Sequence, residues 1–322
     1  MIKNIFKSSK LIEKEDKMNK RGIFFTLLVI ALLSLFVIGL SVYSFQDRGA
    51  INKRISTMNS FVFSLEKDMS RQNYISGYRA VLGIENYITS KHNFTLDARE
   101  DIKEEILNGT INNEIINLMD DYKLEDWKPQ ISALAGKMNL DVNYTILSVS
   151  VSQKNPWNIL IEVILDISIK DRNNLASWNK TQVIQSEIPI SGFEDPLYLI
   201  NSGGKIAKKI NKTQFQEFVS GTNVSNLSLQ VQNFYYISSP LAPSFLDRLE
   251  GKTSPSEQGI ESLVYLPELS VQGILVMDKS VVDYIYFSSD NPSSHHIQGM
   301  PPWFRIDDAH LPVYQVSGLT ID

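Results

Sequence analysis

The sequence predicts an α+β protein. An N-terminal transmembrane helix continues into a long helix packed on an antiparallel β-meander, and a less regular C-terminal α+β region follows. Three observations carry this expectation. The run Ile23–Phe45 contains no charged residue. Apolar residues then continue at helical spacing, with no proline before Pro129. Near residue 140 the apolar period changes from that of a helix to that of a strand. The implied organisation is a basic leader (1–22), a membrane span (23–45), an extended amphipathic helix (46–92), an α+β ectodomain (93–204) and a second ectodomain region (205–322).

The span comes first. At about 1.5 Å per residue, some 20 apolar residues cross a hydrocarbon layer of roughly 30 Å. Only Thr26, Ser34, Gly39, Ser41 and Ser44 dilute this run. A cleaved secretory signal has a shorter apolar core, about 7–15 residues, and a small-residue cleavage site; the end of this run, SVYSFQ, has none. Before it stand Lys3, Lys7, Lys10, Lys14, Lys17, Lys20 and Arg21 against Glu13, Glu15 and Asp16, a surplus of four positive charges. Basic flanks are retained in the cytoplasm, so the expectation is a single-pass membrane protein with its amino terminus inside and residues 46–322 outside.

Composition bounds what the outer part does. The whole chain of 322 residues carries −5, so the part beyond the leader carries −9. That balance argues against nucleic acid, which selects clustered lysine and arginine. There is no cysteine, which excludes disulfides, thiolate metal sites and a cysteine nucleophile. The outer part holds seven N-x-[ST] sequons, at Asn93, Asn108, Asn143, Asn179, Asn211, Asn223 and Asn226. These are candidate N-glycosylation sites of a surface glycoprotein.

Lys20, Arg21 and Gly22, directly before the hydrophobic helix that starts at Ile23, carry a resemblance. They resemble the leader end of archaeal type IV pilins and related class III signal-peptide surface proteins. The resemblance covers about residues 18–90. It implies that a membrane peptidase cuts between Gly22 and Ile23, making Lys20, Arg21, Gly22 and Ile23 the candidate leader-peptidase site. It also implies a pilin-like structural or interaction role. The fifth mature position, usually glutamate in pilins, is Leu27.

Beyond the span, Ile51, Ile55, Met58, Val62, Leu65 and Met69 step alternately by four and three, a heptad seam. Such a seam packs either on its own domain or on a second copy, so self-association through these six residues is an expectation. Gly77 and Gly83 then mark a bend or close packing. Asp97 with Glu100 has the pattern of a capping box, and Asn108-Gly109 stops that helix. Thr110–Asp121 reads as a second short helix. Trp127, Ile131, Leu134 and Met138 give a third, with Pro129 tolerated in its first turn. This third helix is expected to lie across the sheet containing Ile159–Ile169.

Strands follow. Leu140, Val142, Tyr144 and Ile146 alternate, then Leu147, Val149 and Val151 alternate in opposite phase, so a bulge is expected near 146–147. Ile159 to Ile169 occupy every second position, and Trp178–Ile190 completes the meander. Ser191–Gly204, with Phe193, Leu197, Tyr198 and Leu199, reads as a structured loop closing the first domain. Later, a helix is expected at Lys212–Val219 and a strand at Ser228–Ile237. Ile260–Leu266 and Val271–Met277 read as strands or buried helix, and Ser280 with Asp283 as caps of a turn around Tyr284 and Phe287.

No motif assigns a catalytic, cofactor-binding or metal-ligating residue, and no cofactor is expected. The nearest candidates are His295, His296 and His310 with Asp307 and Asp308, whose spacing matches no metal motif. No G-x-S-x-G elbow exposes a serine. Ser202-Gly203-Gly204-Lys205 lacks phosphate-loop spacing. Glu194-Asp195 and Glu257/Glu261 are weak acid–base pairs. Phe234-Tyr235-Tyr236, Tyr284–Phe287 and Trp303-Phe304 line either a cleft or the core. The leading expectation is therefore a membrane-anchored, pilin-like surface component. A tethered ligand- or partner-binding ectodomain stands second, and a tethered hydrolase third.

Overall fold

A computed structural model describes the backbone of residues 2–321, and the side chains of residues 22–42 and 51–321. Lys20 and Arg21 of the leader site fall outside the described side chains. The chain forms two compact units, Met1–Val62 with Asp171–Ser177, and Phe63–Lys170 with Trp178–Asp322. One helix, α1 (Ile2–Lys91), supplies the first and enters the second.

In the first unit, Gly22–Val42 is long and apolar enough to cross a membrane, with mean hydropathy 2.9 and none of it buried by the rest of the chain. Its hydroxyls are satisfied internally. Thr26 donates to the Gly22 carbonyl (2.9 Å), Ser34 to Ile30 (2.8 Å) and Ser41 to Val37 (2.8 Å). Such back-bonding hides polar atoms from an apolar solvent. Further on, the Arg54 guanidinium donates to Asp171. That carboxylate also accepts the N–H groups of Asn173 (2.9 Å) and Leu175 (3.3 Å), closing the 171–176 turn. Burial would raise the Asp171 pKa, but these partners outweigh it and hold it below the ordinary value. Of the heptad seam, Met58, Val62, Leu65 and Met69 are buried, while Ile51 and Ile55 stay exposed.

The second unit is built on a three-stranded sheet in the order β3 (Leu140–Asn155), β4 (Asn158–Asp171), β5 (Ser177–Pro189). Short turns join neighbours that run in opposite directions. The alternation of β4 is real: Ile159, Ile161, Val163, Leu165, Ile167 and Ile169 are all buried. In β3 the buried phase shifts across the exposed pair Leu147-Ser148, at the place where a bulge is expected. The later part of α1 packs on this face. Asn73 donates to the Ile161 carbonyl (3.2 Å) and to Ser186 Oγ (3.0 Å), and Ser186 donates to the Ser70 carbonyl (3.2 Å). At Gly77 helix and sheet approach closely; a Cβ added there would lie 2.2 Å from Ile161 Cδ1. The helix covering β4 is therefore α1. α3 (Trp127–Lys137) packs against the edge strand β3 instead, burying Trp127 and Ala135 while Leu134 and Met138 remain exposed.

Local chemistry explains the other elements. α2 (Ala98–Asn108) begins at Asp97, whose carboxylate accepts from the Arg99 and Glu100 N–H groups, and ends at left-handed Gly109. Glu100 turns to Lys103 rather than completing a capping box. Thr110–Asp121 is not a helix. Asn112 and Asn113 both adopt positive φ (50° and 63°), which makes the tight turn between β1 (Thr110–Ile111) and β2 (Glu114–Ile115). Glu104 accepts the N–H groups of both asparagines, and a 3₁₀ turn at Asn117–Met119 follows.

After the sheet, α4 (Pro196–Asn201) is capped by Asp195, with proline at its start. Leu197 and Tyr198 join the hydrophobic cluster that runs to Leu319, so the Ser191–Gly204 loop is structured and closes onto the later residues. That cluster is framed by a second sheet of β6 (Asn211–Lys212), β7 (Tyr235–Ser238) and β8 (Ile260–Glu261). It also holds α5 (Ser225–Gln232), α6 (Phe245–Leu249), α7 (Leu266–Val271), α8 (Asp283–Tyr286) and the hairpin of β9 (Ser294–His296) with β10 (Arg305–Asp307).

Four expectations are corrected here. Lys212–Val219 forms no helix, because β6 pairs with β7 and Thr213 bonds the Tyr236 carbonyl (2.8 Å). Ser228–Ile237 is helix before it is strand: Leu227, Gln230 and Val231 face the core at helical spacing, and Phe234 at φ 53° breaks the chain into β7. Val271–Met277 is an exposed loop, not a buried run. Asp283 is spent in a buried ion pair and Ser280 on Asp307, so neither is the cap residue of α8, which is Val282.

Among the described residues, Glu105 and Glu85 are buried carboxyls whose burial outweighs any attraction, the Lys209 charge near Glu85 included. Glu105 on α2 lies against Gly83 of α1, neither of its oxygens has a hydrogen-bond partner, and burial with Asp101 nearby pushes it up to about 9. Glu85 is pushed up to about 9 by burial and by Glu194. A carboxyl whose folded pKa lies above its unfolded value binds a proton more tightly when folded. Stability then falls as pH rises from about 4.5 to about 9. Glu105→Gln, which resembles the neutral acid, is expected to match wild type near pH 4.5 in denaturant melts. At pH 7 it should be more stable by about 2–3 kcal/mol. Equal pH profiles for the two proteins count against a neutral Glu105.

Candidate functional site

The chemistry-bearing residues of the second unit gather around two buried charges. The first is Arg248 on α6. Its Nη1 donates to Asp195 Oδ2 (2.6 Å) and Asp283 Oδ2 (3.0 Å), and its Nη2 donates to Asp283 Oδ1 (3.2 Å) and to the Ile260 carbonyl. Arginine and both aspartates are fully buried. Tyr236 donates to Asp195 Oδ2 (2.7 Å), and Ser262 donates to Asp283 Oδ2 through both its hydroxyl (2.8 Å) and its N–H (2.9 Å). Burial and the neighbouring Asp283 raise the Asp195 pKa against the pull of Arg248. This cluster is closed to solvent and is a structural centre.

The second charge is His310, which sits at the floor of an open cleft of about 560 Å³. β10 ends at Asp307, and the turn after it brings His310 back over that carboxylate. Nδ1 lies 2.7 Å from Asp307 Oδ1, and Nε2 lies 3.0 Å from the Tyr284 hydroxyl and 3.4 Å from Glu261 Oε2. Ser280 donates to the other oxygen of Asp307 (2.7 Å). Burial alone lowers a histidine pKa, but the bonds and attraction to Asp307 and Glu261 outweigh it and raise His310 to about 9. Asp307, which burial would raise, is held below the ordinary value by His310 and Ser280. Burial and the charges of Glu261 and Asp283 raise Tyr284. Leu241, Pro255, Ile285 and Pro292 form apolar walls, and Asp290 stands at the rim.

This geometry limits the chemistry. A general base needs a free lone pair near the working pH. An imidazolium that donates from Nδ1 to Asp307 and from Nε2 to Tyr284 has none. Ser280 bonds Asp307 and not His310, so a serine–histidine–aspartate relay is not assembled. A metal needs a deprotonated ring nitrogen, and both nitrogens are engaged. What remains is the Tyr284 hydroxyl, 3.0 Å from His310 Nε2, on a side chain that lines the cleft.

The residues singled out from sequence separate. His295 pairs with Asp308 at the surface (2.8 Å), and His296 lies beside it on β9. Glu257 is exposed while Glu261 is buried beside His310. Glu194 bridges to Lys209 in the backbone, and Asp195 belongs to Arg248. Ser202 caps Ile206 N–H (2.9 Å), and Lys205 is exposed. Phe234, Tyr236, Tyr286 and Phe304 turn into the core; of these aromatic runs only Tyr284 reaches the cleft. Sequence reasoning misses Arg248, whose one signal is its place among Phe245, Leu246 and Leu249, and it reads Asp283 only as a cap and Tyr284 only as one of an aromatic run. All seven sequon asparagines are exposed. No family model, curated protein or solved structure matches this chain.

A histidine whose folded pKa is raised contributes stability that is complete below about 6.5 and lost as pH rises through about 9. In Asp307→Asn, the NMR titration midpoint of His310 is expected to drop from about 9 toward about 6.5. A midpoint left unmoved removes Asp307 as the anchor of the charge. Arg248→Met should cost about 3–5 kcal/mol, because it strands two buried carboxylates. A variant as stable as wild type overturns that reading of the first cluster.

Proposed function

We propose that this chain is a single-pass membrane-anchored surface protein of the pilin-like kind, with its amino terminus in the cytoplasm and residues 46–322 outside. The observation that carries the reading is the uncovered apolar stretch Gly22–Val42, on a helix whose later turns pack against an antiparallel meander. An exposed apolar surface of that length is costly in water and favourable in lipid. The leader Lys20-Arg21-Gly22 supports processing before Ile23, and the exposed sequon asparagines support glycosylation of the outer part. Self-association along the helical seam then rests on Ile51 and Ile55, since Met58, Val62, Leu65 and Met69 are already buried.

A second reading draws on a different observation. The cleft above His310 and Tyr284 suits a tethered ectodomain that holds a small ligand with an apolar body and a hydrogen-bond acceptor. A tethered hydrolase draws no support from the His310 geometry.

Protease added to intact cells should remove the bulk of residues 46–322 and leave a short membrane fragment. Mass spectrometry of the mature chain should give an amino terminus at Ile23. Full protection of the bulk sinks the orientation, and a mature chain that retains Lys20-Arg21-Gly22 sinks the pilin-like route.

A further inference from the structure

Outside the span, two exposed surfaces have complementary chemistry. One is the loop after α7. Val271 and Leu275 are 83% and 84% exposed, and Val276 and Met277 are also exposed. Single exposed apolar residues need no explanation, but several in one loop mark an interaction site. Beside the loop stands an exposed cation, Lys205, whose Nζ donates to the Gln272 carbonyl (3.3 Å) and is held against the loop. Lys208, three residues on, is paired with Glu268 of α7 (2.6 Å).

The other surface is a groove of about 470 Å³ along α2. Leu96, 95% exposed, and Leu107 supply its apolar part. Asp97, Glu100 and Glu104 line its rim with one lysine, Lys103, which pairs with Glu100 (2.9 Å), while Asp101 is buried beneath them. An apolar groove with an acidic rim and an apolar loop with a basic flank match in both respects. One occupant accounts for both surfaces, and it is a second copy of this chain.

We propose that the 271–277 loop of one copy seats in the α2 groove of another, with Lys205 of the first facing the Asp97 and Glu100 carboxylates of the second. Two different patches meet, so the contact is heterologous. Each copy keeps a free loop or a free groove for the next, and the association extends as a row or closes as a ring. The proposal deepens the surface-component reading but does not share its test, because topology and leader processing are measured separately.

The chain contains no cysteine, so single introduced cysteines report contacts cleanly. Full-length Leu96→Cys and Leu275→Cys chains, reconstituted together in phosphatidylcholine vesicles and oxidised, should form a mixed disulfide that neither forms alone. Glu100→Lys and Lys205→Glu should each weaken association at least about fivefold, and the double variant should restore it. Circular dichroism should be unchanged in all five variants, since each site is on the surface. Absence of the mixed disulfide overturns the proposal. So does a Leu275→Cys chain that cross-links as readily to itself, which means a symmetric contact. A label at Leu275→Cys quenched by lipid assigns the loop to the membrane instead. A glycan on Asn108 of the native protein fills the groove and overturns it as well.

Discussion

A single buried guanidinium holds the later half of the molecule together. Arg248 reaches from α6 to the cap of α4 through Asp195, to β8 through the Ile260 carbonyl, and to α8 through Asp283. Removing three charged groups from water is costly, and only their mutual pairing and the added bonds from Tyr236 and Ser262 offset it. The arrangement also sets the cleft. Asp283 accepts the Tyr284 N–H (2.6 Å), and the Tyr284 hydroxyl meets His310 Nε2 (3.0 Å). The buried ion pair therefore positions an aromatic side chain that lines the His310 cleft.

The second unit buries carboxyl groups in two opposite ways. Asp195, Asp283 and Asp307 each lie beside a cation, and at Asp307 that attraction outweighs burial and holds the pKa below the ordinary value. Glu85 and Glu105 have no comparable cation, and burial holds them neutral. The two kinds respond to acid in opposite directions. Protonation removes the partner of His310, whereas it relieves the interface where Glu105 meets Gly83. The pH range in which the fold is most stable is set by the balance between them.

Much of the first half was legible in sequence because its signals are local. The uncharged run at Ile23–Phe45, the Asp97 cap, the Gly109 stop and the alternation from Ile159 to Ile169 each follow from neighbours along the chain. Gly77 was legible as either a bend or a place of close packing, and the structure makes it the latter, against Ile161. The errors lie where short-range patterns mislead. The stripe Trp127–Met138 has helical spacing, yet α1 already occupies the face of β4, so α3 is left at the edge. Thr110–Asp121 has apolar spacing compatible with a helix, but two adjacent asparagines at positive φ turn it back.

Hydrophobic periodicity alone determined that one greasy helix begins this protein and that a meander follows, because both depend on which side chains repeat at 3.6 or at 2 residues. Composition determined the acidic balance and the absence of thiol chemistry. Only the tertiary structure decided that Asp195, Arg248 and Asp283 meet, and that Glu261, Tyr284, Asp307 and His310 share one site. Those partners stand 53, 35 and 49 residues apart along the chain. No local pattern encodes such contacts; they exist because burying a charge is tolerable only where a distant segment brings its counterpart.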